Sequence, residues 1–368
     1  MSDDAATPAT PAAAAEPRPA LDKKKTIIGA LVGVVALVII FVKVIPQIGS
    51  YADALTAIKA MSGFDVALIV IAVLVYNAVY GLPFMAATPG LSYPRSFQLN
   101  QGAFAISNGI PAGGAFGLGV QYAMLASYSV PSTVATAAIG AVGVWSIFVT
   151  LGLPVLGLLS MWASGKADVG AYIYIGLIGL GVLSAMIVVF ALVMRSEPLA
   201  ERIGEVATKA AAPVMRRFRK GQAFDGVAVV LKFRADTVDL VRRRWGSITA
   251  AQLSVSITQF LIFFAALRGV EGASTQTSIL VAFGAFAVSQ IGIMIPITPG
   301  GLGTVDALMI QLLVSMGVDT GSATAATLVW RAASFVPQIA IGVLSLVTWS
   351  RRAAQAFAGN TGESAATT

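Results

Sequence analysis

The chain has 368 residues, 57% hydrophobic and 11% charged, with 24 Lys and Arg against 17 Asp and Glu. Soluble domains carry about 25% charged residues, and the mean hydropathy here is +0.83, so the sequence reads as an integral membrane protein. Cysteine and histidine are both absent, which excludes disulfides, thiolate chemistry, imidazole-held metals and histidine acid–base catalysis.

In chain order, residues 1–22 form an Ala/Pro-rich tail expected to be disordered. Lys23-Lys24-Lys25 marks a membrane boundary, and a first span follows over residues 26–42. No cleavage signature follows it, so it reads as an anchor rather than a signal peptide. Residues 64–87 make the second span. Residues 98–129 carry Asn100, Gln101, Ser107, Asn108 and Gln121 around a Pro/Gly break. That pattern predicts a re-entrant helical hairpin turning at 110–114, since irregular backbone at membrane depth survives only inside protein or against a wet cavity. Residues 132–162 and 169–194 are the third and fourth spans.

Residues 195–245 are the long hydrophilic segment, with twelve Lys/Arg and six Asp/Glu. Ile203, Val206, Ala210, Val214 and Phe218 recur there at helical spacing. An amphipathic helix on an anionic membrane surface fits this pattern, as does a solvated basic linker. Recruitment of a cytoplasmic lipid-synthesising enzyme is a further use for it. The fifth span covers 248–267. A second hairpin covers 274–316 with its tip at 296–303, and the sixth span, 322–349, stops at Arg351-Arg352. Residues 353–368 are a second disordered tail. The two membrane halves are thus 23–194 and 247–352, separated by the basic segment 195–246.

The two breaks are copies of one motif. Pro111-Ala112-Gly113-Gly114 and Pro299-Gly300-Gly301 lie 188 residues apart, and at that offset Val130 matches Val318, Ala135-Thr136-Ala137-Ala138 matches Ala323-Thr324-Ala325-Ala326, and Ser146 matches Ser334. Paired Gly/Pro interruptions in corresponding apolar segments point to a transporter built from repeats. With the N-terminus inside and two hairpins that return to their own side, 19 of the 24 Lys/Arg fall in the cytoplasm, as the positive-inside rule requires. The first hairpin then enters from the cytoplasm and the second from outside. The fold expected is all-α and polytopic: about six full transmembrane helices plus two re-entrant hairpins in an inverted repeat.

Asp306 and Arg331 are the acidic and the basic residue placed at membrane depth, where an ionisable side chain costs about 2.5–3.5 kcal/mol to insert. One reading has Arg331 contact an anionic headgroup with Asp306 holding or releasing it. The other makes them a structural pair, and the two are compatible if the pair opens. The tips at Pro111, Gly113 and Gly114 and at Thr298, Pro299, Gly300, Gly301 and Gly303 expose backbone N–H groups at helix N-termini, which bind anions. Small residues there would equally serve close helix packing. Asn100, Gln101, Asn108, Gln121, Gln290, Gln311 and Gln338 add neutral polar groups that glue helices or line a polar groove.

These residues favour a transporter over an enzyme. A Mg²⁺-dependent phosphotransferase would need clustered carboxylates, and only Asp306 lies deep. No cofactor, metal or nucleic acid is expected. A lipid translocase and an ion-coupled carrier of a small polar or anionic solute both remain open, while a simple scaffold would not carry polar hairpins.

The run Ile295-Pro296-Ile297-Thr298-Pro299-Gly300-Gly301-Leu302-Gly303-Thr304-Val305-Asp306-Ala307, followed by Trp330-Arg331-Ala332-Ala333-Ser334-Phe335, resembles the signature of the lysylphosphatidylglycerol synthase transmembrane-region family. Ser107-Asn108-Gly109-Ile110-Pro111 and Gly113-Gly114 are similar to that family's first-half motif. The resemblance covers about residues 26–352. It implies a flippase-type domain moving a phospholipid or polyprenyl-phosphate-linked lipid between leaflets of a bacterial inner membrane, with both termini cytoplasmic. Only residues 353–368 follow the last span, so no synthase activity is carried over. The sequence departs from the family in two places: Asp306 stands where Glu is common, and Gln121 where the first repeat usually has a basic residue.

Overall fold

A computed structural model describes residues 51–109, 113–165, 169–218, 225–272, 276–294 and 299–365, and every regular element among them is helical. The first expected span and the Lys23 cluster lie outside the described residues. α1 (Tyr51–Ala60) leads into α2 (Gly63–Val79), which starts at a capping box: Asp65 N–H donates to Ser62 Oγ at 3.2 Å and Ser62 N–H to Asp65 Oδ2 at 3.1 Å. α3 (Leu82–Ala87) follows after a turn at Tyr80 and Gly81. α4 (Tyr93–Gly109) and α5 (Gly113–Ser127) pack against each other as the two arms of the first broken segment. α6 (Ser132–Ala163), α7 (Val169–Arg195) and α8 (Glu197–Phe218) come next.

α9 (Gly226–Glu271) is one continuous helix of 46 residues, capped by Asp225, whose Oδ1 accepts from Ala228 N–H at 3.0 Å. The boundary expected at 246/247 therefore falls inside a helix. No proline interrupts 226–271, so the hydrophilic and apolar stretches join without a break. α8 docks on the first part of α9 through Ala200, Gly204 and Thr208; a Cβ on Gly204 would lie 2.6 Å from Val227 Cα. Val206 of the expected apolar stripe stays 65% exposed.

The second broken segment comprises α10 (Ile279–Ser289), 3₁₀ turns at Gln290–Met294 and Pro299–Gly301, and α11 (Thr304–Ser315). The apolar part of α12 (Thr320–Ala365) ends at Arg351, where the sixth span was expected to stop, while the helix itself continues into the tail read as disordered. The residues after Arg352 are Ala-Ala-Gln-Ala-Phe-Ala, good helix formers that continue the ladder.

Among the described residues, four helical stretches are long and apolar enough to cross a membrane: Gly63–Ala87, Ser132–Ala163, Gly226–Glu271 and Thr320–Arg351. They correspond to the second, third, fifth and sixth expected spans. The fourth is α7, whose described apolar part is Gly179–Arg195. Large side chains such as Phe64, Leu74, Leu159 and Leu344 point outward and are more than half exposed. Apolar surface on this scale is stable against lipid, not water.

The 188-residue repeat holds in three dimensions. α5 ends at Ser127 and α11 at Ser315, while α6 starts at Ser132 and α12 at Thr320. Both connecting turns close with the same long bond: Val130 N–H donates to Leu125 C=O at 3.0 Å and Val318 N–H to Leu313 C=O at 3.0 Å. The left-handed residue at the equivalent position is Ser129 (φ 61°) in one half and Gly317 (φ 89°) in the other. The halves also exchange partners. α4 packs on α12, and α10, its counterpart, packs on α6, the counterpart of α12. Two core clusters form, one around Leu99, Met124 and Trp145, the other around Phe263, Phe286 and Trp330, and each draws residues from both halves: Ile248 joins the first, and Tyr76 and Met161 the second.

The exchange depends on close approach. A Cβ on Gly342 of α12 would overlap the carbonyl oxygen of Gln101 and sit 2.6 Å from Ala105 Cβ on α4. Gly342→Ala should therefore push α4 and α12 apart and cost about 1–3 kcal/mol, read as a lowered unfolding midpoint in detergent.

Candidate functional site

Thr304 starts α11 just after three glycines at positive φ: Gly300 (62°), Gly301 (65°) and Gly303 (84°). L-residues pay about 1–2 kcal/mol for the left-handed region, so the Pro-Gly-Gly-Leu-Gly composition is what allows the sharp entry. Thr304 Oγ1 secures the turn by donating to Gly292 C=O at 2.9 Å and Gly301 C=O at 3.1 Å.

Asp306 then sits in the first turn of α11, at the positive end of the helix. Its Oδ2 accepts from Gly303 N–H at 2.6 Å and its Oδ1 from Arg331 Nε at 2.7 Å. Both partners are buried, Asp306 at 1% exposure and Arg331 at 7%. The N-terminus of α11 is thus filled by its own carboxylate rather than left open for an anion.

Arg331 is held from several directions. Its guanidinium carbon lies 4.5 Å from the ring centre of Trp330 and 4.8 Å from that of Phe335, a cation–π arrangement strengthened by burial. Nη2 is buried without a hydrogen-bond partner. A buried N–H of this kind costs about 1–3 kcal/mol and marks where an acceptor would be welcome. An aromatic chain joins the two halves beside it: Tyr76–Tyr80, Tyr80–Phe104 and Phe104–Phe335, with centroids 5.7, 5.7 and 5.5 Å apart.

Arg331, but not Asp306, lines a cavity of about 310 Å³ whose walls come from α2, α4, α6, α9, the second break, the start of α11 and α12. Its polar lining includes Asn108, Ser146, Thr150, Gln252, Ser256 and Gln290. Residues 146–153 fall at the middle of α6 (Ser132–Ala163), and Arg331 and Phe335 near the middle of Thr320–Arg351. By helix length the cavity lies at mid-depth, as substrate sites in repeat-built transporters do.

The two breaks meet here. A Cβ on Gly300 would lie 2.7 Å from Asn108 Oδ1, and Asn108 is one residue before the end of α4. Asp306, Arg331, Gly300 and Asn108 therefore come together, with Gly301 and Gly303 shaping the turn. Pro111 and Thr298 lie outside the described residues. Pro299 opens the turn Pro299–Gly301. Gly113 has another role: a Cβ there would lie 2.7 Å from Ser107 C=O, so it lets α5 fold back on α4. Gly114 faces open space. Gln121 is half-buried and absent from the cavity wall, and Gln311 is exposed.

Other expected polar groups serve packing. Gln101 Nε2 donates to Asn77 Oδ1 at 3.2 Å, and Gln338 Oε1 accepts from Tyr76 O–H at 3.0 Å. Tyr76, Tyr80, Ser146, Thr150, Gln252, Ser256 and Gln259 line the cavity; of these the sequence marks only Ser146, and that as a repeat match rather than a site residue. The polar ones sit four or seven apart (146 and 150; 252, 256 and 259), a one-face spacing that could have marked them.

Among the described residues no group of three or more Asp, Glu, His or Cys could hold a metal ion. The curated protein sequences contain no match to the chain. The profile of the lysylphosphatidylglycerol synthase TM region family spans residues 26–342. That range takes in both breaks, the Asp306–Arg331 pair and the cavity between them, and the chain belongs to this family of membrane proteins.

Proposed function

We propose that the protein moves an amphiphilic, phosphate-bearing lipid between the leaflets of a bacterial inner membrane, without itself catalysing a covalent step. The observation that carries this reading is a buried guanidinium at mid-depth, with Nη2 left without a hydrogen-bond partner, on a residue that lines a partly polar cavity where two equivalent breaks meet. Arginine suits phosphate because its planar fork makes paired charge-assisted bonds. Membership of a lipid-handling family supports the substrate class.

In this reading the two broken segments are re-entrant hairpins entering from opposite sides, and the exchanged packing of α4–α12 and α10–α6 is the pivot. Asp306 neutralises Arg331 while the site is empty. A phosphate arriving at Nη2 competes with the carboxylate, and the headgroup crosses between Asn108 and Gly300 while its chains stay in lipid. The six-span topology with both termini cytoplasmic follows from the charge distribution.

The test is a leaflet-resolved assay in proteoliposomes carrying fluorescent anionic, zwitterionic or polyprenyl-phosphate lipids. Movement of one phosphate-bearing class without an ion gradient is the expected result. If no lipid moves with or without a gradient, the reading fails and the cavity belongs to a small solute.

A further inference from the structure

A second concavity lies on the outer side of the α6–α9 pair, against α7. Its volume is about 690 Å³ and its wall is almost wholly apolar, including Trp145, Phe148, Leu156, Ile187, Phe190 and Leu253. Arg195, Arg242 and Trp245 complete it.

The helices place those basic groups at one end. Trp145 and Phe190 are in edge contact at 5.5 Å, and a Cβ on Gly152 would lie 3.6 Å from Leu183, so α7 runs antiparallel to α6. Continuing that register carries Arg195 beyond Trp145, to the end opposite Leu156. Arg242 lies just under one turn of α9 before Trp245 and about two turns before Thr249, and Thr249 Oγ1 accepts from Trp145 Nε1 at 2.7 Å. Both arginines are exposed, and neither has a carboxylate partner among the described residues. Trp245, 61% exposed, stands beside them as side chains do at a membrane–water boundary.

Length and lining decide the occupant. From Trp145 to Leu156 is about 16 Å along a helix at ~1.5 Å per residue, room for a long stretch of an acyl chain. The crevice is apolar along that length and basic at the end where Arg195 and Arg242 stand. Water would leave such a wall unsolvated, and a neutral lipid would leave two guanidinium groups unmatched.

We propose that this crevice docks one acyl chain of an anionic phospholipid from the leaflet on the basic side, with its phosphate at Arg195 and Arg242. Its position relative to the Arg331 cavity gives the docking a purpose, which rests on the transport reading above. Val149 and Leu153 line both spaces, so these two side chains of α6 form a shared wall between the docked lipid and the polar site. Pro154 follows at once. It removes the ladder bond that would hold Thr150 C=O, making this the weak point of α6. The crevice is the loading place, and the Val149–Leu153 stretch is the wall a headgroup passes.

Native mass spectrometry of protein released from nanodiscs of equal phosphatidylglycerol and phosphatidylcholine tests the docking site. Wild type should retain phosphatidylglycerol preferentially. Arg195→Gln/Arg242→Gln should reduce that enrichment about tenfold. Gly152→Phe should reduce bound lipid of either kind by filling the crevice with both arginines intact: Gly152 lines the crevice, and a Cβ there makes only ordinary contact with Leu183 at 3.6 Å. Size-exclusion profiles matching wild type establish that the variants fold. Equal enrichment in wild type and both variants would overturn the proposal. Retained enrichment with no lipid transfer by wild type in the leaflet assay would sink the transport reading and leave the docking site standing.

Discussion

Arg331→Ala is expected to abolish lipid transfer and to destabilise the protein by about 3–5 kcal/mol, the usual cost of leaving one member of a buried ion pair alone. The same holds for Asp306→Ala, because the partners are 2.7 Å apart and both are shielded from solvent. With arginine removed, the Asp306 carboxylate keeps only the Gly303 N–H. With aspartate removed, the guanidinium keeps its aromatic contacts but no counter-charge. The informative variant is the double one, Asp306→Leu/Arg331→Met. Replacing a buried pair with apolar residues of similar volume is often neutral or stabilising, so its unfolding midpoint should return toward wild type. Transfer should stay absent, since no group remains to receive a phosphate. Normal transfer by a stably folded double variant would make the pair structural only.

Gly300→Ala is expected to separate the two breaks and stop transfer at a moderate cost in stability. Backbone and packing both oppose it. Alanine at φ 62° carries about 1–2 kcal/mol of local strain. Its Cβ would also lie 2.7 Å from Asn108 Oδ1 and 2.8 Å from Phe335 Cζ, and overpacking of that kind costs about 1–3 kcal/mol. Trimming Asn108 to alanine in the same chain should recover part of the packing loss and none of the strain. A double-mutant cycle read by thermal unfolding would show this as a coupling of about 0.5–3 kcal/mol. Gly114→Ala is the control: nothing lies within 4 Å of its Cβ, so it should leave both transfer and stability near wild type. Equal damage from both alanines would mean that the breaks respond to any loss of glycine rather than to the Asn108 contact.

That contrast shows how far residue type alone can mislead. Gly113, Gly114, Gly300 and Gly301 look alike as a motif, yet they do different jobs. Gly113 permits α5 to fold over the Ser107 carbonyl, Gly114 faces open space, and Gly300 lets the second break reach Asn108. Glycine is chosen for what it lacks, so its role depends on what stands opposite, which is a tertiary fact. The same limit hid the cavity wall. Ser146 and Thr150 are unremarkable within an apolar α6, and Gln252, Ser256 and Gln259 read as ordinary polar positions at the start of a span. They acquire meaning only when α2, α6, α9 and α12 converge.

Composition marks segment and span boundaries in α9 and α12, not the ends of those helices. A change from charged to apolar composition places the start of the second membrane half at 247, and a pair of arginines closes the sixth span at 351–352, where the apolar stretch Thr320–Arg351 also ends. Neither place has a proline or a helix-ending glycine pattern strong enough to interrupt the backbone, so α9 and α12 continue through both. Polarity sets which part of a helix lies in lipid, whereas backbone chemistry sets where it ends.

By itself the sequence determined the membrane class, the helical content, the internal repeat and the deep charge pair. Each follows from properties a residue carries with it: hydropathy, the capacity of glycine and proline to break a helix, and the cost of charge in hydrocarbon. The 188-residue offset was legible because the helix-closing turns at Ser129 and Gly317 and the helices after them keep one register. Tertiary structure alone decided that Arg331 and Asp306 touch, that Asn108 meets Gly300, that Gln121 stands apart, and that an apolar crevice backs onto the polar cavity across Val149 and Leu153. Those relations join residues up to 192 positions apart, and they depend on how helices cross. Crossing is set by the summed fit of many small side chains, which no single position in the sequence records.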